Sequence, residues 1–244
     1  MDKKIALITG ANKGIGLETA VQLAQQGIKV IATARNAERG QAAIQPLQDQ
    51  GLDVEFVQLD VNDEEQRQAV VDHVANTYGR LDILVNNAGI EADGGFMGNT
   101  VKTISQEILR KTFDTNFFSV VALTQGLLPL IEKSEAGRIV NVSSVMGSLT
   151  IHSDPTAEIY GIKPFAYDSS KTALNQFTVH LAQALADTPI KVNSAHPGWV
   201  KTDLGTEYAP LDVTVGAKTS VQLATIGADG PNGGYFHMGD TLPW

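Results

Sequence analysis

Tyr167 and Lys171 are the residues of this 244-residue chain best suited to chemistry, four apart in the stretch Phe165-Ala-Tyr-Asp-Ser-Ser-Lys-Thr-Ala-Leu-Asn175. Residues i and i+4 share one face of a helix, with Cβ atoms about 5–6 Å apart. A phenol and an ammonium group at that separation tune each other, because a nearby cation favours the phenolate and strengthens the phenol as an acid. Protonating a developing alkoxide calls for such a group. Tyr-x-x-x-Lys also occurs by chance on solvated helix faces, so its meaning depends on what accompanies it.

A second group of residues is suited to a phosphate-bearing ligand. Thr9-Gly10-Ala-Asn12-Lys13-Gly14-Ile15-Gly16 follows an apolar strand and opens a helical period. Glycines let the backbone turn tightly and approach a pyrophosphate, while the helix start offers free N–H groups and a positive dipole end. No Gly-Lys-Ser/Thr follows, which excludes a P-loop. Dinucleotide sites that prefer NAD carry an acid about 20 residues further on, for the ribose hydroxyls. Here the second strand ends in Ala34-Arg35, and the first acid is Glu38. Arg35 and Lys13 are two cations suited to a 2′-phosphate, and a planar guanidinium matches phosphate well. In a chain of net charge −9 they favour NADP(H).

Composition excludes several other chemistries. There are no cysteines, so disulfides, thiol catalysis and Cys-based zinc sites are out. The five histidines show no metal-ligand spacing with carboxylates, and no Gly-x-Ser-x-Gly elbow occurs. His196, just before Pro197, reads as positional. The acidic balance and the lack of a Lys/Arg run argue against nucleic acid or an acidic membrane surface as partner. No apolar run approaches the length of a membrane span. The first strand starts almost at Met1, leaving no room for a leader peptide, so a cytoplasmic protein is expected.

The elements that must position these residues alternate along the chain. Apolar runs of strand length lie at 5–9, 30–33, 54–58, 83–85, 138–142, 191–195 and 234–236. Such runs suit strands buried on both faces of a parallel sheet. Helical stripes lie between them, for example Leu17, Ala20, Val21 and Ala24, or Leu174, Phe177, Leu181 and Leu185. Alternating β and α predicts an α/β fold, one doubly wound parallel-sheet (Rossmann-type) domain over residues 1–244. Stretches at 144–164 and 197–212 break the rhythm and are expected to be irregular loops at the carboxyl ends of strands, where ligands bind. Substrate loops are therefore expected at 90–100, 145–164 and 200–212. Glu91, Phe96, Met97, Met146, Ile151, Trp199 and Tyr208 are candidate wall residues, and Tyr160 is a further possibility set against plain surface packing.

With these motifs in order, the chain resembles the classical short-chain dehydrogenase/reductase family over its whole length. Thr9–Gly16 looks like that family's cofactor fingerprint, which implies roles for Gly10, Asn12, Lys13, Gly14, Ile15 and Gly16. Leu59-Asp60-Val61 resembles its adenine-contacting segment, and Asn86-Asn87-Ala88-Gly89 its hallmark beside the adenosine ribose. Asn116, Ser144, Tyr167 and Lys171 match its catalytic residues. Pro197-Gly198-Trp-Val200-Lys-Thr202 resembles the segment that contacts the nicotinamide carboxamide. Thr-Gly-Ala-Asn-Lys-Gly-Ile-Gly, Thr33-Ala-Arg35-Asn and Leu128-Pro-Leu-Ile131 look like the NADPH-dependent carbonyl reductase branch. Ser144 and Tyr167 stand further apart than in most classical members. The carbonyl reductase branch also has an insertion there, longer than this one.

The resemblance implies NADP(H)-dependent reduction of a ketone or aldehyde, with Tyr167 as general acid, its pKa lowered by Lys171 and by the positive nicotinamide as it forms. Ser144 would hold the carbonyl oxygen: neighbours on a strand point to opposite faces, so only one of Ser143 and Ser144 is expected to face the site, and the family match selects Ser144. Lys171 would bind the nicotinamide ribose, and Asn116 would hold a water linking Lys171 to solvent. The alternatives are an alcohol dehydrogenase working oxidatively on a hydroxysteroid or sugar alcohol, and a non-catalytic NADP-binding redox sensor. Family tetramers pack through the helices carrying Asn116 and Tyr167, and the insertion before Tyr167 would cover that surface, which favours a monomer.

Overall fold

The strand-length runs assemble into one eight-stranded sheet in the computed structural model of the chain, which describes residues 3–95 and 97–244. The strands are β1 (Ile5–Ile8), β2 (Lys29–Ala34), β3 (Val54–Gln58), β4 (Ile83–Asn86), β5 (Arg138–Val142), β6 (Lys191–Ala195), β7 (Tyr235–His237) and β8 (Asp240–Thr241). Their spatial order is β3-β2-β1-β4-β5-β6-β7-β8. Every pairing from β3 to β7 is parallel. The short β8, which has no apolar run to announce it, pairs antiparallel with β7.

Both faces of the sheet are covered. Ala6 and Ile8 of β1 point one way, into a core with α1 (Gly14–Gln25), α2 (Ala37–Asp49) and a later helix at Lys218–Thr225. Ile5 and Leu7 point the other way, into a core with α3 (Glu64–Thr77), a helix at Ser119–Ile131 and the end of the long helix Phe165–Ala184. The period-2 alternation of a strand thus feeds two cores, which is why β1 is apolar throughout. In chain order the remaining helices are α4 (Gln106–Phe113), α5 (Ser119–Ile131), α6 (Leu149–Ser153), α7 (Phe165–Ala184), α8 (Val213–Gly216) and α9 (Lys218–Thr225). Among the described residues no helix is long and apolar enough to cross a membrane.

Buried polar groups fix the register at the centre of the sheet. Asn86 Nδ2 donates to Asn141 Oδ1 at 2.9 Å, and Asn141 Nδ2 donates to Thr178 Oγ1 at 2.8 Å, joining β4, β5 and α7. A slip of either strand would leave these groups without partners. The sheet order reverses direction between β1 and β4, so a crevice opens beyond their carboxyl ends. The stretch expected to be an irregular loop at 145–164 holds more order than that. It contains a 3₁₀ turn, Val145–Gly147, and the short helix α6.

Candidate active site

The first turn of α7 carries Tyr167 and the second carries Lys171, whose Nζ lies 5.6 Å from the phenol ring centroid. Both side chains are buried. Ser144 leaves the carboxyl end of β5 with its hydroxyl beside the Tyr167 phenol. Its Oγ accepts from Met146 N at 3.3 Å, which leaves the hydroxyl hydrogen to be given elsewhere. Ser143 lies beside the Tyr235 phenol of β7. Both serines border the same cavity, so they differ in their partners rather than by facing opposite sides as expected.

The Ser144 turn packs hard against α7. A Cβ added at Gly147 would come within 2.7 Å of the Lys171 carbonyl carbon, so only glycine lets the turn approach so closely. Thr172 Oγ1 and Asn175 Nδ2 both donate to the Gly147 carbonyl, at 3.1 and 3.3 Å. His196, read as positional, holds the other side: its Nδ1 accepts from Val145 N at 3.2 Å. Burial, with His237 tilted against it at 4.9 Å between ring centroids, lowers its pKa to about 3, so it stays neutral and keeps that lone pair for the Val145 N–H.

Burial also decides the charges of the central pair, against the expectation that Lys171 makes Tyr167 a stronger acid. Burial raises the phenol to about 12, although the Ser144 hydroxyl pulls it down, and the charges of Asp168 and Glu91 push it further up. The same burial lowers Lys171 to about 8. Loss of hydration disfavours both charged forms. Tyr167 is thus held as a neutral phenol, the form that can give a proton.

Asn116 lies in a π-helical turn, Asp114–Phe118, between α4 and α5. Such bulges recur at functional sites. Its Oδ1 accepts from Ile90 N at 2.8 Å, and its Nδ2 donates to Ile90 O at 2.8 Å and to Ser170 Oγ at 3.0 Å. Both amide hydrogens are spent on bracing the segment after β4 against α7. A lone pair of Oδ1 still faces a slot over Gly89, where an added Cβ would lie 3.4 Å from Asn116 Oδ1 and 3.5 Å from Lys171 Nζ. Lys171 Nζ also donates to Val142 O at 2.8 Å.

The glycine turn sits across the crevice from this cluster. Gly10 and Gly14 adopt φ of +65° and +57°, the left-handed conformation that side chains resist. A Cβ on Gly16 would collide with the Asn87 amide and the Gly10 carbonyl. Asn87, expected beside a ribose, uses both amide hydrogens on Thr9 O (2.8 Å) and Gly10 O (3.1 Å), so its side chain braces the turn. Thr9 Oγ1 accepts from the N–H groups of Asn87 and Ala88. Lys13 forms an ion pair with Asp203, whereas the Arg35 side chain stands exposed at the end of β2 with no partner among the described residues. Arg39, which sequence reasoning passed over, is also exposed on the first turn of α2. Asp60 and Val61 follow β3, where Asp60 Oδ1 accepts from Asn62 N. Pro197, Gly198, Val200 and Thr202 follow β6, and Thr202 Cγ2 lies 3.3 Å from where a Cβ on Gly14 would stand. The turn and this segment thus form the two lips of one cleft.

A cavity of about 380 Å³ runs from Ile15 past Gly89, Ser144, Tyr167 and Lys171. That lies within the range of small-molecule sites. Its outer wall includes Met146 and Trp199, as expected, with Ile159, Ile162, Glu158 and Leu204. The last four were missed, because a turn-rich segment gives no period from which to tell which side faces inward. Ile151 and Glu91 do not line it, and Met97 and Tyr208 stand largely in solvent. Tyr160 lies under Lys163, whose Nζ is 4.9 Å from its ring, so the surface-packing reading holds. Phe96 falls outside the described residues.

Residues 4–211 match the family described as short chain dehydrogenase. The chain belongs to that family. This short chain dehydrogenase is 32% identical over 293 residues to a Saponaria officinalis protein named short-chain dehydrogenase/reductase 1, covering 99% of this chain and 96% of that one. It is 32% identical over 279 residues to carbonyl reductase [NADPH] 1 of Sus scrofa, covering 99% of this chain and 94% of that one. The NADPH-bound carbonyl reductase from chicken fatty liver superposes with a TM-score of 0.86 at 26% identity, with both chains covered in full.

Proposed function

We propose that this short chain dehydrogenase is an NADP(H)-dependent carbonyl reductase, with Tyr167 as the proton donor. The observation that carries this reading is the meeting of the Tyr167 phenol, the Ser144 hydroxyl and the Lys171 ammonium in one cavity that reaches Ile15 of the glycine turn. The names of the Sus scrofa and chicken relatives support the cofactor and the reaction class.

The residues present fit the cofactor. The positive-φ glycines and the start of α1 make a cradle for a pyrophosphate, and Arg35 is free to take a 2′-phosphate. Asp60 and Val61 would border the adenine, Ala88 and Gly89 the ribose and its neighbours, and Pro197, Gly198, Val200 and Thr202 the nicotinamide end. Bound there, NADPH supplies a hydride to the carbonyl carbon.

Ser144 donates its free hydrogen to the carbonyl oxygen and holds it as charge grows. The Tyr167 O–H passes its proton to the same oxygen, giving the alcohol and leaving a phenolate. Lys171, with one hydrogen given to Val142 O, has two left to hold the ribose hydroxyls and to offset the phenolate charge. The slot over Gly89 between Lys171 Nζ and Asn116 Oδ1 suits a water that returns a proton toward Tyr167. The outer wall is mostly apolar, which suits a hydrophobic ketone or aldehyde.

The test is NADPH oxidation measured against a panel of carbonyl compounds. Tyr167→Phe should lower kcat by about 10²–10⁴-fold with NADPH binding retained. Near-normal turnover in Tyr167→Phe would remove the mechanism.

A further inference from the structure

The helix that carries Tyr167 lacks a cap of its own. Pro164 stands at its N-cap position, and a proline side chain has no acceptor to offer the first N–H groups. Those groups are satisfied from the segment after β4, about 70 residues earlier. Asp93 Oδ1 accepts from Ala166 N at 2.9 Å, and Asp93 Oδ2 accepts from Tyr167 N at 3.0 Å. Asn99 O accepts from Phe165 N at 3.1 Å. The first three N–H groups of α7 therefore all end on the segment 93–99.

Asp93 and Asn99 are themselves tied together. Asn99 donates to Asp93 O through both its backbone N and its Nδ2, each at 2.8 Å. Gly95 N donates to Glu91 Oε2 at 3.0 Å. Asp93 is 1% exposed, although it is a carboxylate in a segment otherwise near the surface. A buried carboxylate is costly unless its lone pairs are used and its charge is met. Here two N–H groups and the positive end of a 20-residue helix do both. The neighbouring carboxyl of Asp168 is raised to about 8 by burial and by Asp93, so at neutral pH it adds no second negative charge beside the cap.

We infer that Asp93 is a positioning residue for Tyr167, acting as a cap supplied from a distant segment of the same chain that fixes the first turn of α7 and so sets the phenol against Ser144. Tyr167 is the third residue of that turn, and its own N–H is one of the two bonds. Loss of the cap lets the turn fray, and the phenol shifts while Lys171, one turn deeper, stays. The inference rests on Tyr167 being the proton donor, and it makes the segment at 90–100 a part of the catalytic frame rather than only a substrate wall.

The experiment compares wild type, Asp93→Asn, Asp93→Ala and Tyr167→Phe with the double variant Asp93→Ala/Tyr167→Phe, all as the full chain. Turnover is expressed per NADPH-binding site. Asp93→Ala should lower kcat by about tenfold to a hundredfold, the usual cost of a misplaced group, with the NADPH dissociation constant within about twofold of wild type. Asp93→Asn, which keeps one acceptor, should fall between the two and serves if Asp93→Ala does not fold. Adding Asp93→Ala to Tyr167→Phe should cost little more, because the hydroxyl being positioned is gone. An equal loss of kcat in both backgrounds, or wild-type kcat in a folded Asp93→Ala, overturns the inference. Amide exchange adds an arm that needs no turnover: Ala166 and Tyr167 should lose protection in Asp93→Ala, and unchanged protection also overturns it. Absence of carbonyl reduction by the wild type would instead sink the proposed function.

Discussion

Lys13 of the glycine turn and Asp203 of the segment after β6 form an ion pair across the mouth of the cofactor cleft, 190 positions apart in the chain. Both are exposed, so the pair is screened and easily exchanged. The Lys13 ammonium cannot serve a phosphate and Asp203 equally at once. Replacing Asp203 by Asn should therefore tighten NADPH binding about twofold to fivefold, the scale of an exposed ion pair. A fluorescence titration checks this, and weaker binding in Asp203→Asn would show that Asp203 serves the cofactor rather than competing with it.

The Arg35 side chain has no competing partner among the described residues. A charge-assisted bond of this kind is worth roughly tenfold or more in affinity. Arg35→Asp should raise the KM for NADPH by at least that factor while leaving the KM for NADH nearly unchanged. Equal effects on both cofactors would remove the 2′-phosphate argument.

Lys171 is lowered to about 8 in the free protein, so it loses its proton within the working range. Its cation is needed to hold ribose hydroxyls and to meet the charge of an anionic cofactor. NADPH affinity should weaken as pH rises through about 8. Arginine stays charged over this range, so Lys171→Arg should lack that pH dependence even where its turnover is poor. A titration of the dissociation constant between pH 6 and about 9.5 reads this directly, and a flat wild-type profile would count against it.

Asp168, which neighbours Tyr167, also bears on stability. Burial, with Asp93 nearby, raises it from 3.8 to about 8, against an opposing pull from Lys163. The folded state then holds a proton that the unfolded chain has released, so this group's contribution falls as pH rises from about 4 to about 8. Asp168→Asn removes the penalty at no cost in shape. Its melting temperature should exceed that of wild type at pH 8 by about 2–4 °C for each kcal/mol regained, with a smaller gain at pH 5. A larger gain at pH 5 would contradict the assignment.

Much of this protein is written locally. Ile5–Ile8 is buried along its whole length, and a continuous apolar run is what a strand between two layers of helices requires. The glycine turn needs only positive φ at Gly10 and Gly14 and a helix start beyond them. Tyr167 and Lys171 share a face because a helix repeats every 3.6 residues. Each of these follows from chain geometry over a few residues, so the α/β class, seven of the strands and the central cluster are legible in the amino-acid pattern alone. The two-residue β8 is not, since it carries no pattern and depends on the edge of β7 for its bonds.

Groups distant in the chain come to share one environment only through the fold. Asp93 caps Tyr167 from 74 positions away, Asn116 spends its amide on Ile90 and Ser170, and Asn87 spends its own on the glycine turn. No local pattern announces such bonds, because each depends on which segments the sheet order brings together. The charge state of the central pair is of the same kind. Spacing alone predicts that Lys171 sharpens Tyr167 as an acid. Burial, which the whole fold creates, raises the phenol and lowers the ammonium instead. Local pattern marks Tyr167, Lys171 and the glycine turn; the folded surroundings decide what else meets them and which protons they hold.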